Sequence, residues 1–145
     1  MTMRTMTAAR PKAHELILLL AGAWLIPGGA HLWQGRWTKG LVFLITLPLM
    51  FVIGITLGGR LFPFEPSEPF VALAAMADLA VGLPYVLARA AGYGTGQVTV
   101  ATFEYANTFL ITAGLLNLLV MLDAYDLALG RRRSPSPQPS STDRG

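Results

Sequence analysis

Uncharged apolar runs of nearly constant length recur along this chain. Leu16 to Gly35, Gly40 to Gly59 and Tyr105 to Leu122 contain no Asp, Glu, Lys or Arg, and Pro69 to Ala88 contains only Asp78. In that order the runs are 20, 20, 18 and 20 residues long. A helix needs about 20 apolar residues to cross the roughly 30 Å hydrocarbon core of a bilayer. Helix is the form such runs take, because an unpaired strand cannot satisfy its backbone in lipid. The pattern predicts an all-α integral membrane bundle of four transmembrane helices, over residues 14–35, 39–59, 69–90 and 104–130. A basic segment, 1–13, precedes them. The tail over 131–145 is basic and then rich in Ser and Pro, lacks an apolar face, and is expected to be disordered.

Composition points to the same solvent. Charged residues make up 13% of the chain and hydrophobic residues 53%, whereas soluble domains carry about 25% charge. A small soluble domain keeps too much surface exposed to hide that excess. The net charge of +3 raises the question of nucleic acid. The basic residues sit at the ends and in short loops, with no stripe or recognition helix, so no nucleic-acid partner is expected. The bilayer is the expected partner, with a further membrane protein or a second copy of the chain beside it. The absence of cysteine excludes disulfides and thiolate metal sites. The first run opens like a signal peptide, with Arg4, Arg10 and Lys12 ahead of Leu16–Leu20 and small residues at Ala21–Ala23. It stays apolar through Trp24, Leu25 and Ile26 to Trp33, which favours a retained helix.

Lysine and arginine counts orient the bundle. Four crossings put Arg4, Arg10, Lys12, Arg60, Arg131, Arg132, Arg133 and Arg144 on one side, against Arg36, Lys39 and Arg89 on the other. Both termini are therefore expected in the cytoplasm, in a bacterial plasma membrane. Arg36 and Lys39 dissent, as two cations in a tight outer hairpin. A break at Pro27-Gly28-Gly29 that stopped the first segment half-way would make it re-entrant and upset the count. Trp33, Trp37 and Lys39 fit an interfacial belt. Pro63, Pro66 and Pro69 forbid regular helix in the second connection, and Gly92, Gly94 and Gly96 break the third, where Val98-Thr99-Val100 offers a weak strand.

Candidate chemistry is sparse. Asp78 is the most informative position, since a carboxylate inside a membrane helix costs at least about 2.5 kcal/mol near the centre. Asn117 falls at similar depth on the fourth segment, so an amide-to-carboxyl clasp is expected, with proton or cation handling as the functional alternative. Asp123 and Asp126 share a helix face, and Arg60 falls on the same side, giving a cytoplasmic-face cluster. A D-x-x-D pair can hold a divalent cation on phosphate, but the further ligands of such enzymes are missing. His31 is expected at the outer face with Arg36, paired to Glu104. A lone histidine without companions at ligand spacing does not make a metal site. Gly54 and Gly58 form G-x-x-x-G, a helix-packing spacing. Gly92-Tyr93-Gly94 lacks the Thr-Val and pore helix of a potassium filter. No catalytic residue, metal or cofactor is expected. Pro27, Pro48 and Pro84 interrupt three segments. Breaks in corresponding positions of two halves can mark a transport site, although the two helix pairs show no convincing sequence repeat.

Two stretches resemble known families. Pro27 to Gly40, a Gly-rich helix end leading through Trp33, Gly35-Arg36 and Lys39-Gly40 into the next segment, resembles the turn of the two-transmembrane-helix domain family. The stretch Phe103-Glu104-Tyr105, Thr112 to Asn117, Leu122 to Asp126 and Gly130-Arg131 resembles an uncharacterised family of small bacterial inner-membrane proteins, a resemblance that runs over most of the chain, from Leu16 to Arg131. That resemblance implies a four-helix layout in a bacterial plasma membrane and supplies no functional residues. The reading favoured by the sequence is a non-enzymatic membrane subunit or scaffold. A small transporter or ion-conducting oligomer using Asp78 and Asn117, and a lipid-processing enzyme using Asp123 and Asp126, stand as alternatives.

Overall fold

The computed structural model describes residues 12–130, so residues 1–11 of the basic N-terminal segment and the basic, Ser/Pro-rich tail over 131–145 lie outside the described residues. Six helices follow one another: α1 Ala13–Leu25, α2 Gly29–Trp33, α3 Trp37–Thr56, α4 Pro69–Ala80, α5 Leu83–Ala90 and α6 Phe103–Ala128. The described residues form no strand beyond a single Arg60–Thr95 bridge, and Val98-Thr99-Val100 is turn. Only α3 and α6 are individually long and apolar enough to cross a membrane. The expectation of four continuous transmembrane helices is corrected here: the first and third segments are each broken in two.

The two long helices are antiparallel. Lys39 at the start of α3 lies by Asp123 near the end of α6, while Gly54 near the end of α3 packs on Ala106 and Leu110 near the start of α6. These contacts define a Lys39 end and an Arg60 end. Pro48 sits inside α3 without ending it, as membrane helices tolerate.

The broken segments enter from opposite ends. At the start of α1, Lys12 N–H donates to Glu15 Oε2 at 3.0 Å, closing the first turn. Glu15 and Leu16 flank Leu127 to Gly130 of α6, so α1 begins at the Lys39 end. It stops at Leu25; Gly28, at φ 80°, starts α2, and α2 packs back on α3, with Leu32 against Gly40. The chain regains the Lys39 end at Gln34, whose Nε2 donates to Ala124 O. α4 runs alongside α6 in the same direction, Ala77 against Gly114 and Ala80 against Asn117, and so starts from the Arg60 end. Gly82, at φ 84°, breaks it. α5 then leaves at 105° to α4 and returns to the Arg60 end, where Gly94 O accepts from Leu61 N–H. Each half thus reads short helix, glycine break, short helix, long helix, and the second half is inverted relative to the first.

Burial is inside-out for a soluble protein. Buried helix positions are mostly small or polar: Ala23, Ala30, Ala74, Ala75, Ala77, Ala106, Ala113 and Ala124, with His31, Asp78, Asn107 and Asn117. Large apolar side chains such as Ile17, Leu41, Phe70, Leu73 and Leu119 face outward. Small residues let backbones approach where lipid offers no hydrophobic drive between helices, and large ones suit a lipid-facing surface. The larger packed cluster joins Phe51, Leu61, Val81, Ala88, Leu110 and Ala113. A smaller one joins Ala23, Ala30 and Ala124 at the Lys39 end.

The re-entrant first hairpin has a direct test, because the chain has no native cysteine. Exposed His14 and Thr38, on either side of the first hairpin, lie at the Lys39 end, and exposed Ser67 belongs to the Arg60 end. Single His14→Cys and Thr38→Cys proteins in sealed vesicles are expected to react with an impermeant maleimide from one side, and Ser67→Cys from the other. Labelling of His14→Cys from the Ser67 side would restore a crossing first segment.

Candidate functional site where the hairpins meet

The tips of the two hairpins meet near the middle of α3 and α6. The Trp24 indole Nε1 donates to Leu79 O at 2.9 Å, and Gly82 lies against the Trp24 carbonyl oxygen. Asn117, half-way along α6, donates from Nδ2 to Ala80 O at 2.8 Å. Both tip helices end here, so the carbonyls freed by the breaks at Leu79 and Ala80 are satisfied by side chains from the other hairpin and from α6. That is the condition for non-helical backbone at membrane depth. The C-terminal ends of α1 and α4 converge on this point, and helix C-termini carry partial negative charge.

Asp78 lies one turn from the break and is fully buried. Its Oδ2 accepts from Phe62 N–H at 2.9 Å, and its Oδ1 has no hydrogen-bond partner. Asn117 is equally buried, and its Oδ1 also lacks a partner. The expected clasp between Asp78 and Asn117 is therefore corrected: each side chain bonds to backbone rather than to the other. Helix breaks expose backbone groups that compete for polar side chains, and the nearer backbone groups won. What remains is two buried oxygen acceptors, Asp78 Oδ1 and Asn117 Oδ1, on packed helices. Oxygen acceptors of this kind suit a proton or a hard cation.

The expected surface clusters are rearranged by the same folding back. His31 is fully buried in α2, and its Nε2 is 2.9 Å from Asp123 Oδ2, not beside Glu104, which opens α6 at the Arg60 end. Phe43 packs edge-on to the His31 ring. Lys39 Nζ is 3.9 Å from the same Asp123 oxygen. Arg36 also lies at the Lys39 end, so the outer-face grouping of His31, Arg36 and Glu104 does not form. Arg60 is far from Asp123 and Asp126. Its backbone N–H donates to Asn107 Oδ1 at 2.9 Å, and its guanidinium lies 5.8 Å from the Phe62 ring centre. The G-x-x-x-G pair is split: Gly54 packs inside the bundle against α6, while Gly58, at φ 89°, lies past the end of α3 beside Gln97.

Trp24, Gln34, Asn107 and Thr102 were not singled out in the sequence, yet each satisfies a distant carbonyl or amide. For Trp24 and Gln34 the available signal was a polar side chain close to a glycine or proline break, at Pro27 and Gly35; Thr102 and Asn107 carry no such signal. Among the described residues no group of three or more His, Cys, Asp or Glu could hold a metal.

A family model described as "Family of unknown function (DUF6677)" matches residues 17–133. The chain belongs to that family, which agrees with the resemblance drawn from its sequence. No curated protein matches the chain, and no solved structure does.

Proposed function

We propose that the chain is a subunit of a small membrane transport or conducting assembly, which moves a proton or a hard monovalent cation past the junction of its two hairpins. The observation that carries this is the meeting of two opposed, glycine-broken hairpins around a buried carboxyl group with one unpartnered oxygen. Inverted repeats with broken helices place transport sites at the repeat interface, with half-helix C-terminal ends facing the cation. Asp78 is the ionisable group, and Asn117, which reaches the Ala80 carbonyl two residues further along α4, is the neutral acceptor. The centre is closed, since both side chains are fully buried. Movement of a hairpin, or assembly with a second copy or a partner protein, is needed to open it. This reading keeps the subunit character favoured by the sequence and gives it a task. No catalytic constellation is required. Asp123, tied to His31 and Lys39, acts in hairpin anchoring rather than in lipid chemistry.

Folding back both broken segments also sharpens the orientation. Among the described residues the Lys39 end holds Lys12, Arg36 and Lys39, against Arg60 and Arg89 at the other end, and the chain continues from it in sequence into the basic residues of both terminal segments. By the excess of cations on cytoplasmic loops, the Lys39 end faces the cytoplasm of a bacterial plasma membrane.

The test is flux through protein reconstituted in sealed vesicles, read with proton-sensitive and sodium- or potassium-sensitive dyes under an imposed gradient. Wild type is expected to conduct. Asp78→Asn is expected to lose at least about tenfold of that flux, since an amide cannot carry the proton or the charge, while its thermal midpoint in detergent stays near wild type because its oxygen still accepts from Phe62. Equal flux in the two proteins, or none in either, sinks the reading.

A further inference from the structure

The buried Asp78 carboxyl group lies on the Arg60 side of the hairpin junction. Because α4 runs away from the Arg60 end, the bonds from Trp24 to Leu79 O and from Asn117 to Ala80 O close the chain beyond it. Towards the Arg60 end it meets a strap of non-helical chain, residues 58–62, that leaves α3. Phe62 N–H donates to Asp78 Oδ2 at 2.9 Å. Leu61 is buried and packs in one cluster with Val81, Ala88 and Leu110. Arg60, two residues from the carboxyl bond, is already exposed, with its guanidinium over the Phe62 ring.

We propose that the strap 58–62 is a gate, through which the Asp78 carboxyl group is reached from the Arg60 end. The proposal rests on the transport reading for what passes, but not for the access itself. Three features make the strap a movable cover rather than a fixed plug. It hinges on Gly58-Gly59, with Gly58 at φ 89°, a pair that absorbs backbone rotation at little steric cost. Its fastenings lie in a loop: Leu61 N–H donates to Gly94 O and Gln97 N–H to Gly58 O, each at 2.9 Å, and Arg60 faces Thr95 in the isolated antiparallel bridge. So short a ribbon is marginally stable by itself, and exposed loop bonds open at low local cost. Two side chains near the start of α6 complete the closure, Asn107 Oδ1 accepting from Arg60 N–H and Thr102 Oγ1 donating to Leu57 O. Apart from the bond to Asp78, all of these join neutral groups, and among the described residues no ion pair fastens the strap. Swinging away from 93–97 parts Phe62 from Asp78 and uncovers the carboxyl group towards the Arg60 end. Movement of a hairpin then serves the other step, passage towards the Lys39 end.

The test locks the strap. Arg60 and Thr95 are both exposed and directly opposed, and facing Cα atoms of an antiparallel pair are about 4.5–5.5 Å apart, within reach of a disulfide. The full chain carrying Arg60→Cys and Thr95→Cys, with no other cysteine, is compared oxidised and reduced, so that a folding defect is common to both. A charged, membrane-impermeant carbodiimide is added from one side at a time to sealed vesicles, and peptide mass spectrometry reads modification of Asp78. Exposed Glu65 and Glu68 at the Arg60 end, and exposed Glu15 at the Lys39 end, report delivery of the reagent. In wild type and in the reduced variant, Asp78 is expected to react from the Ser67 side only. Oxidation is expected to slow that reaction at least about tenfold, because the cross-link removes the local opening that exposes the group. Reaction from the Lys39 side, equal rates in the oxidised and reduced protein, or no reaction of Asp78 in any state would overturn the gate. Flux through the same vesicles separates the two readings. Gated access to Asp78 without flux in wild type would keep the strap and discard transport. Flux that Asp78→Asn abolishes but the cross-link leaves unchanged would keep transport and discard the gate.

Discussion

Gly82→Val is expected to unfold the junction of the hairpins. A side chain at this position meets the Trp24 carbonyl oxygen, a backbone atom that cannot rotate away. The residue is also at φ 84°, where an L-residue costs about 1–2 kcal/mol and a β-branched one more. Overpacking adds about 1–3 kcal/mol. A combined loss above roughly 3 kcal/mol is a large share of a typical stability of about 5–15 kcal/mol. Gly114→Val makes a related test without the dihedral cost, since its side chain would meet the Ala77 carbonyl oxygen where α4 lies on α6. Gly22→Ala is the control: nothing stands within 4 Å of a Cβ there, and alanine in a helix is neutral or stabilising by about 0.5–1 kcal/mol. Thermal unfolding in mild detergent, followed by circular dichroism and size exclusion, reads all three. Equal midpoints would mean that the hairpins do not approach so closely.

Removal of the carboxyl group at Asp123 is expected to release the first hairpin from α6. Asp123→Ala leaves the fully buried His31 ring without its Nε2 partner, and its Nδ1 has none already. A hydrogen bond to a charged group contributes about 1.5–3 kcal/mol, and a buried polar atom left unmade costs a similar amount. The Lys39 contact adds little, since that amine is half exposed and its distance is 3.9 Å. A loss of roughly 2 kcal/mol is therefore expected for Asp123→Ala, and a similar loss for His31→Ala. The double variant should lose less than the sum, with a coupling of about 0.5–3 kcal/mol. Strict additivity in the same unfolding assay would show that the two side chains do not act together.

Much of the candidate site could be read from the chain, but not its wiring. Asp78 and Asn117 stood out as polar residues in apolar runs, and both are fully buried. Their expected partnership assumed continuous helices, in which side chains have only other side chains to bond. At Gly28 and Gly82 the helices stop, and the freed carbonyls and amides become the better partners. Asp78 turned to Phe62 N–H and Asn117 to Ala80 O. His31 was assigned to the wrong end for the same reason. Counting crossings by run length placed it opposite Asp123, whereas the fold-back at Pro27-Gly28-Gly29 returns it to Asp123.

The sequence by itself determined the solvent, the helical class and the family. Those follow from the lengths of the uncharged runs, the scarcity of charge and a match over residues 17–133. It also determined α3 and α6, because an unbroken apolar run flanked by polar residues has one low-energy arrangement in a bilayer. Only the tertiary structure decided what the first and third runs do. Twenty apolar residues can make one crossing helix or two half-length ones, and the difference depends on whether the backbone groups freed at the break find partners. Here those partners come from Trp24, 55 residues from Leu79, and from Asn117, 37 residues from Ala80. No local pattern records such distant pairings, so the opposed hairpins, and the buried carboxyl group between them, exist only once the two halves are packed together.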